Sequence, residues 1–492
     1  RRADGSLILE KSRDPRGYSI EFNSSQMIES GFNAIPNVQF EYGPGDHGRY
    51  AFGDGRGGGL NDGDYDIWGP RFEGQLIPQY DSPIDPVTGV RQATPWVARG
   101  VDNLERFLRP GFQSNNNISV STTGEKVDMR FSTSYNYQQG MVPNTQLNVG
   151  NFNVYSGIKF SPKVKLEANL NYNRQFTDNF PDVQYGPNSL IYNIILWGGA
   201  DWDVADMRDY WQEGKEGVQQ IYAEYQRYNN PWFLAYEWLR GHQKTDVYGQ
   251  TALTFQLAPG LELKGRTAIT TYDLFRSEKF PFSATVYGRE EARGDYREDK
   301  RTLFENNTDV YLNYDRNFGS DFSFNGMVGG NIRTFNFESS YTTTDYLNVP
   351  GLYTFTNTAN PLKAFNYRSK MQVQSGYYSV DFGYRNFVFV SHTGRVDHLS
   401  TLPKKNNTFF YPSMGLSLVP TELVDLGPVT FLKLRGSYAN VKSGLTTRYI
   451  GSTPSAAFPL DYGTNYFSSY DGPTYSNASV YSSPIVYNNQ PG

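Results

Sequence analysis

The chain has 492 residues, a net charge of −5 and no cysteine. Disulfides, thiolate catalysis and cysteine-ligated zinc are excluded, and His47, His242, His392 and His398 share no metal-ligand spacing. Mean hydropathy is −0.60, and no run approaches the ~18 apolar residues of a membrane helix. The mild charge, without a basic stripe, gives no footprint for nucleic acid.

A transmembrane β-barrel survives these exclusions, because half of each barrel strand is polar. Aromatics reach 16%, with 38 Tyr, 33 Phe and 7 Trp. That enrichment suits interfacial girdles or sugar-stacking surfaces.

In chain order, period-two alternation predicts strands over 18–25, 116–124, 126–138, 151–161, 163–176, 245–258, 260–274, 303–316, 321–338, 371–385, 386–398, 407–420 and 428–440. Residues 127–137 show the pattern. Val127, Met129, Phe131 and Tyr135 share one face, predicted to meet lipid. Asp128, Arg130, Ser132, Ser134 and Asn136 share the other, predicted to meet the lumen. Short connections such as Gly124-Glu125, Pro259-Gly260 and Arg385-Asn386 alternate with long ones at 26–115, 139–150, 177–244, 275–302, 339–370, 399–406 and 441–492. That alternation predicts an all-β fold: a transmembrane up-and-down antiparallel β-barrel with short periplasmic turns and long external loops.

A barrel cut after these strands has two open edges, so the segment is expected to belong to a longer polypeptide. A soluble, secreted β-protein that binds or cleaves carbohydrate is the competing reading. A second sheet would then cover the outward strand faces.

Loop 177–244 is predicted to be an external subdomain with helices over 187–197, 203–212, 218–228 and 231–240. Asp203 and Asn230 are its candidate caps, and Pro231 falls in a first turn. Trp197, Trp202, Trp211, Trp232 and Trp238 cluster there as candidate substrate-binding residues. A self-packed loop core and a docking surface are the alternatives.

Asp62, Asp64, Asp66 and Glu73 have calcium-loop spacing, but Ile67 stands where the EF-hand needs glycine. They read as an acidic surface loop, with no metal or other cofactor expected. Gly55–Gly59 reads as a loop tip without Walker residues. The acid pairs Glu290-Glu291 and Asp206/Asp209 read as solvated charges rather than a glycosidase pair, so no catalytic residue is assigned.

Several ordered motifs resemble one family, the SusC/RagA branch of TonB-dependent outer-membrane transporters. Asp4–Lys11 resembles the last plug strand, and Tyr18–Asn23 the first barrel strand. Trp68-Gly69-Pro70-Arg71-Phe72-Glu73-Gly74 resembles the branch signature. Arg395-Val396-Asp397, Phe410-Tyr411-Pro412-Ser413 and Leu432–Tyr438 resemble its late-strand motifs.

The resemblance implies the end of a plug over 1–15 and an incomplete barrel of the roughly 22-stranded class over 16–492. It also implies residence in the outer-membrane lipid and import of glycan or peptide fragments. A SusD-like surface lipoprotein would cap the mouth, and TonB would drive the plug. Siderophore uptake or a role in a secretion assembly are alternative tasks for the same barrel.

Overall fold

The computed structural model describes residues 7–8, 17–30, 38–50, 67–79, 81–180, 189–196, 198–222, 229–285, 290–400 and 404–442. Fourteen antiparallel strands form one sheet in strict sequence order. They are β1 (Leu7–Ile8), β2 (Gly17–Glu29), β3 (Gly111–Thr123), β4 (Val127–Gln139), β5 (Gln146–Ser161), β6 (Val164–Thr177) and β7 (Leu239–Ala258). The second half comprises β8 (Leu261–Phe280), β9 (Asp295–Phe318), β10 (Phe322–Leu347), β11 (Thr358–Tyr384), β12 (Val388–Leu399), β13 (Thr408–Leu418) and β14 (Leu434–Ala439).

All thirteen expected strands are present. The additional one is β1, where Leu7 and Ile8 pair with Ser24 and Asn23 as an edge strand. The last strand is shorter than expected, starting at Leu434 rather than at 428.

The short turns lie at one end of the sheet. At the β11–β12 turn, Arg385 and Asn386 both take positive φ, 48° and 55°. This is the pair of left-handed residues that a tight hairpin needs to match strand twist. At the β8 start, Gly260 has φ 77°. A Cβ there would lie 2.2 Å from the Asp315 carbonyl oxygen, so only glycine fits.

Strand lengths diverge in the second half. β12 and β13 have 12 and 11 residues, whereas β9, β10 and β11 have 24, 26 and 27. A tilted strand crosses hydrocarbon in about 9–11 residues. Because the short turns align, the excess projects entirely from the opposite, external end.

The two faces exchange character along these long strands. Over 308–318 of β9 and 322–332 of β10, the outward residues include Val310, Leu312, Val328 and Ile332. Val310 and Val328 are 54% and 58% exposed. Farther out the same face carries Glu298, Lys300, Thr302, Glu338 and Ser340. There the inward face packs Phe335, Phe337, Tyr341, Met371, Val373 and Leu399 into a buried cluster against Tyr272, Leu303 and Phe409. The outward apolar band therefore has a definite upper limit, above which the same face turns polar.

Candidate functional site

The inward face of the sheet is polar throughout the band and divides into two sectors. On β3–β6 it carries mostly amides and hydroxyls, with Asp128, Arg130 and the Lys165–Glu167 pair at the short-turn end. Asn117 Nδ2 donates to Ser132 Oγ at 3.0 Å, and Asn151 Nδ2 donates to Ser134 Oγ at 3.2 Å. Asn153 Nδ2 donates to Asn171 Oδ1 at 2.6 Å, and Asn173 Nδ2 donates to Asn151 Oδ1. The register explains the bonding, since Ser134, Asn151 and Asn173 stand directly opposite one another on consecutive strands.

On β8–β13 the inward face is ionic and aromatic. Arg266 pairs with Asp309 at 2.7 Å, Arg333 with Glu305 at 2.8 Å and Arg395 with Asp397 at 2.7 Å. Arg395 Nη2 also donates to Ser375 Oγ at 2.8 Å. Tyr377 lies directly opposite Arg395 and Gly329, and Tyr411 stands opposite Arg395 on its other side.

Gly329 makes room for this arrangement, because a Cβ there would meet the Tyr377 ring at 2.8 Å. The Tyr377 hydroxyl donates across it to Asp309 Oδ1 at 3.3 Å. Nearer the short turns, a cavity of about 550 Å³ opens on the same face, lined among others by Asp315, Asn325, Asp381, Ser391 and Arg435.

Three external links fold together above this wall. Helices α1 (Asn103–Phe107), α2 (Leu190–Ile195) and α3 (Pro231–Tyr236) contribute to a core with Phe107, Ile194, Trp202, Val204, Met207, Trp232, Phe233 and Phe280. The α3 start forms as the sequence predicts. Asn230 Oδ1 accepts from the Trp232 backbone N–H at 2.9 Å, with Pro231 in the first turn.

Helix α2 lies within the expected 187–197, whereas the remaining helical expectations require correction. The 203–212 stretch contains only a 3₁₀ turn at Asp206–Arg208. No helix occurs over 218–222; Gln220 instead bridges Trp211. Helix α3 stops at Tyr236, because Leu239 and Arg240 already belong to β7. Tertiary packing overrides local helical propensity in these segments.

A buried carboxylate ties the cap to the wall. Trp238 Nε1 donates to Glu278 Oε1 at 2.6 Å. Arg240 reaches that oxygen at 3.2 Å and Arg297 reaches Oε2 at 3.2 Å. Glu278 is fully buried. A buried charge persists only when it is paired and hydrogen-bonded. Inside the cap, Tyr210 OH donates to Glu237 Oε1 at 2.7 Å, and burial raises the Glu237 carboxyl above its ordinary range.

Trp202 and Trp238 are 1% exposed and Trp232 is 9% exposed, so their rings are spent on the cap core. Trp211 is half-buried and packs edge-on to Phe233. Trp197 lies outside the described residues, as do Asp62, Asp64 and Asp66. Among the described residues no cluster of metal-ligating side chains occurs.

The 68–74 signature forms a folded corner. Gly69 is forced by contact, since a Cβ would lie 2.2 Å from the Pro44 carbonyl oxygen. The Pro70 carbonyl accepts from the indole N–H of fully buried Trp96 at 2.9 Å. Arg71 approaches Glu41 at 3.5 Å. Glu73 sits in the tight turn before Gly74, whose φ is 79°. Trp68 itself is 60% exposed and tilts against Tyr42.

Among the late motifs, Arg395, Asp397, Tyr411 and Ser413 all fall on the inward face. Pro412 sits opposite Gly394, and its carbonyl accepts from the Asn440 N–H. Sequence reasoning missed Trp96, Tyr377 and Glu278. Tyr377 and Glu278 were recoverable only from strand register, whereas Trp96 was visible as a lone tryptophan in a polar link.

These features define a class: the wall of an outer-membrane-type up-and-down β-barrel with a polar inner face and a folded external cap. Its fold is that of part of a TonB-dependent transporter. The RagAB peptide importer in its closed-closed state aligns with a TM-score of 0.64 and 14% identity, over 90% of this chain and 49% of that one. Its open-open state gives 0.64 and 15%, over 90% and 48%. A RagAB peptide transporter structure gives 0.56 and 14%, over 69% and 38%.

At these identities the likeness is one of fold. The chain spans about half the length of the two importer chains, at 49% and 48%. No protein-family model matches the chain, and no curated protein matches it.

Proposed function

We propose that this chain is part of an outer-membrane active transporter that imports oligomeric nutrients, glycan or peptide fragments, through a lumen lined by its inward face. A SusD-like lipoprotein would lid the external mouth, and TonB would supply the energy. The observation that carries this reading is the outward apolar band. It spans residues 308–318 and 322–332 on β9 and β10, the length of a membrane crossing, and it opposes a polar inner face.

No second sheet packs on that band among the described residues. A soluble β-sandwich would bury it, so exposed Val310 and Val328 count against the secreted-protein reading. The fold likeness to a peptide importer and a peptide transporter supports the oligomeric cargo.

The test uses the full-length protein. Outer-membrane fractions should release it only with detergent, together with a surface lipoprotein. A deletion strain grown on panels of glycans, peptides and ferric siderophores should lose uptake of an oligomeric nutrient. Loss of siderophore uptake alone would replace the cargo. Release as a detergent-free monomer would overturn the transporter reading.

A further inference from the structure

The cap is closed by a seam between two external links, 99–106 and 199–204. The Arg99 and Gly100 N–H groups both donate to the Ala200 carbonyl, at 2.6 and 2.9 Å. Arg99 Nε donates to the Asp201 carbonyl at 2.8 Å, and its guanidinium also pairs with Asp81. Asn103 Nδ2 donates to the Trp202 carbonyl at 3.0 Å, while Asn103 Oδ1 accepts from the Val204 N–H at 2.9 Å. Arg106 pairs with Asp203 at 2.7 Å.

Within this seam the Asp201 side chain is 6% exposed, and its Oδ1 atom is buried without a hydrogen-bond partner. The atom lies 2.8 Å from where a Gly199 Cβ would stand, so glycine is what allows its approach. The neighbouring cation, Arg99, points its guanidinium at Asp81 and at the Asp201 backbone rather than at the Asp201 carboxylate. An ionised carboxylate in that position has lost its water and gains only a hydrogen bond from its own backbone N–H, which leaves a cost in free energy that a neutral carboxyl avoids.

We propose that this seam is a pH-gated closure of the external cap, with Asp201 as its titrating group. The charged groups facing it are Arg99 and Asp81 from one link, with the Arg106–Asp203 pair alongside. Burial, the largest effect, pushes the Asp201 carboxyl up to about 7 from an ordinary 3.8; its backbone hydrogen bond and Arg99 lower it, and Asp81 raises it.

The closed seam therefore holds a proton that an opened seam releases. Closure is strongest at low pH and weakens as pH rises from the ordinary carboxylate range through neutrality.

The experiment is hydrogen exchange of the full-length protein in detergent micelles, corrected for intrinsic rates and read at amides 99–106 and 199–204. Between about pH 5.5 and about pH 8.5, protection should fall by up to about thirtyfold, the limit set by linkage. Asp201→Asn should keep both segments protected at both pH values. Asp203→Asn, which removes one of the two carboxylate partners of Arg106, should lower protection by a similar factor at both and leave the pH response intact. Wild-type protection that does not change with pH overturns the proposal, as does an Asp201→Asn protein that keeps the wild-type response.

Discussion

Val328 and Phe337 lie on the same strand, β10, and face opposite ways: Val328 outward at 58% exposure, Phe337 inward at 1%. The strand is continuous between them, yet the apolar side has changed faces. Side chains alternate strictly along a strand, so the change reflects a different environment at each height. Val328 lies in the exposed apolar band that the proposed function assigns to hydrocarbon, while Phe337 joins a core enclosed by the inward face. This pair brackets the membrane boundary.

The boundary predicts a depth-dependent response to charge. Val328→Lys should destabilise the folded barrel by about 2–4 kcal/mol, the range for a cation near the bilayer midplane. Ser340→Lys, on the same face above the band, should change stability by less than about 0.5 kcal/mol. Urea unfolding of the full-length protein in lipid vesicles measures both. Equal costs at the two positions would refute the boundary.

Phe337 fills the inward cluster with Tyr341, Met371 and Leu399. Phe337→Ala should cost about 3–5 kcal/mol through lost burial and the remaining cavity. The same unfolding measurement checks it, and Phe337→Leu should recover most of the loss.

Glu278 ties Trp238, Arg240 and Arg297 together. Removing one partner of a buried ion pair leaves uncompensated charge, so Glu278→Ala should cost about 3–5 kcal/mol. Trp238→Phe keeps the ring against Phe280 and removes only the donor to the carboxylate. It should cost about 1.5–3 kcal/mol. Protease sensitivity confined to the cap in Trp238→Phe would show that this contact anchors the cap to the wall.

Gly69 stands where any side chain would collide with the Pro44 carbonyl. Gly69→Ala should open the corner around Trp96 and raise tryptic cleavage within 38–100 while the barrel stays folded. Unchanged cleavage would show that the corner yields without cost.

Arg395 is 44% exposed at its side chain and pairs with Asp397 on the inner face. A half-exposed pair contributes at most about 1 kcal/mol. Arg395→Ala should therefore leave assembly intact, and any change in the proposed uptake can be assigned to the lumen rather than to folding.

The sequence alone determined the strand order and the face each residue takes. Both follow from period-two alternation and turn residues, which are local properties. It placed Val127, Phe131 and Tyr135 on one face and Arg130, Ser132 and Ser134 on the other, as the sheet has them. The 68–74 signature was visible as a motif, but its reason, the approach of Gly69 to Pro44, was not. Helix positions in loop 177–244 were read less well, because short helices take their stability from tertiary packing rather than from their own residues.

Tertiary structure alone decided what each face meets. Alternation is the same below and above the membrane boundary, so it could not show that Phe337 turns into a core while Val328 turns toward lipid. Nor could it bring Trp238, Arg240, Glu278 and Arg297 together, since neighbours across a sheet are set by register between strands distant in sequence. The clustered tryptophans showed the same limit: their spacing marked a subdomain, and only packing showed that Trp202, Trp232 and Trp238 form its interior.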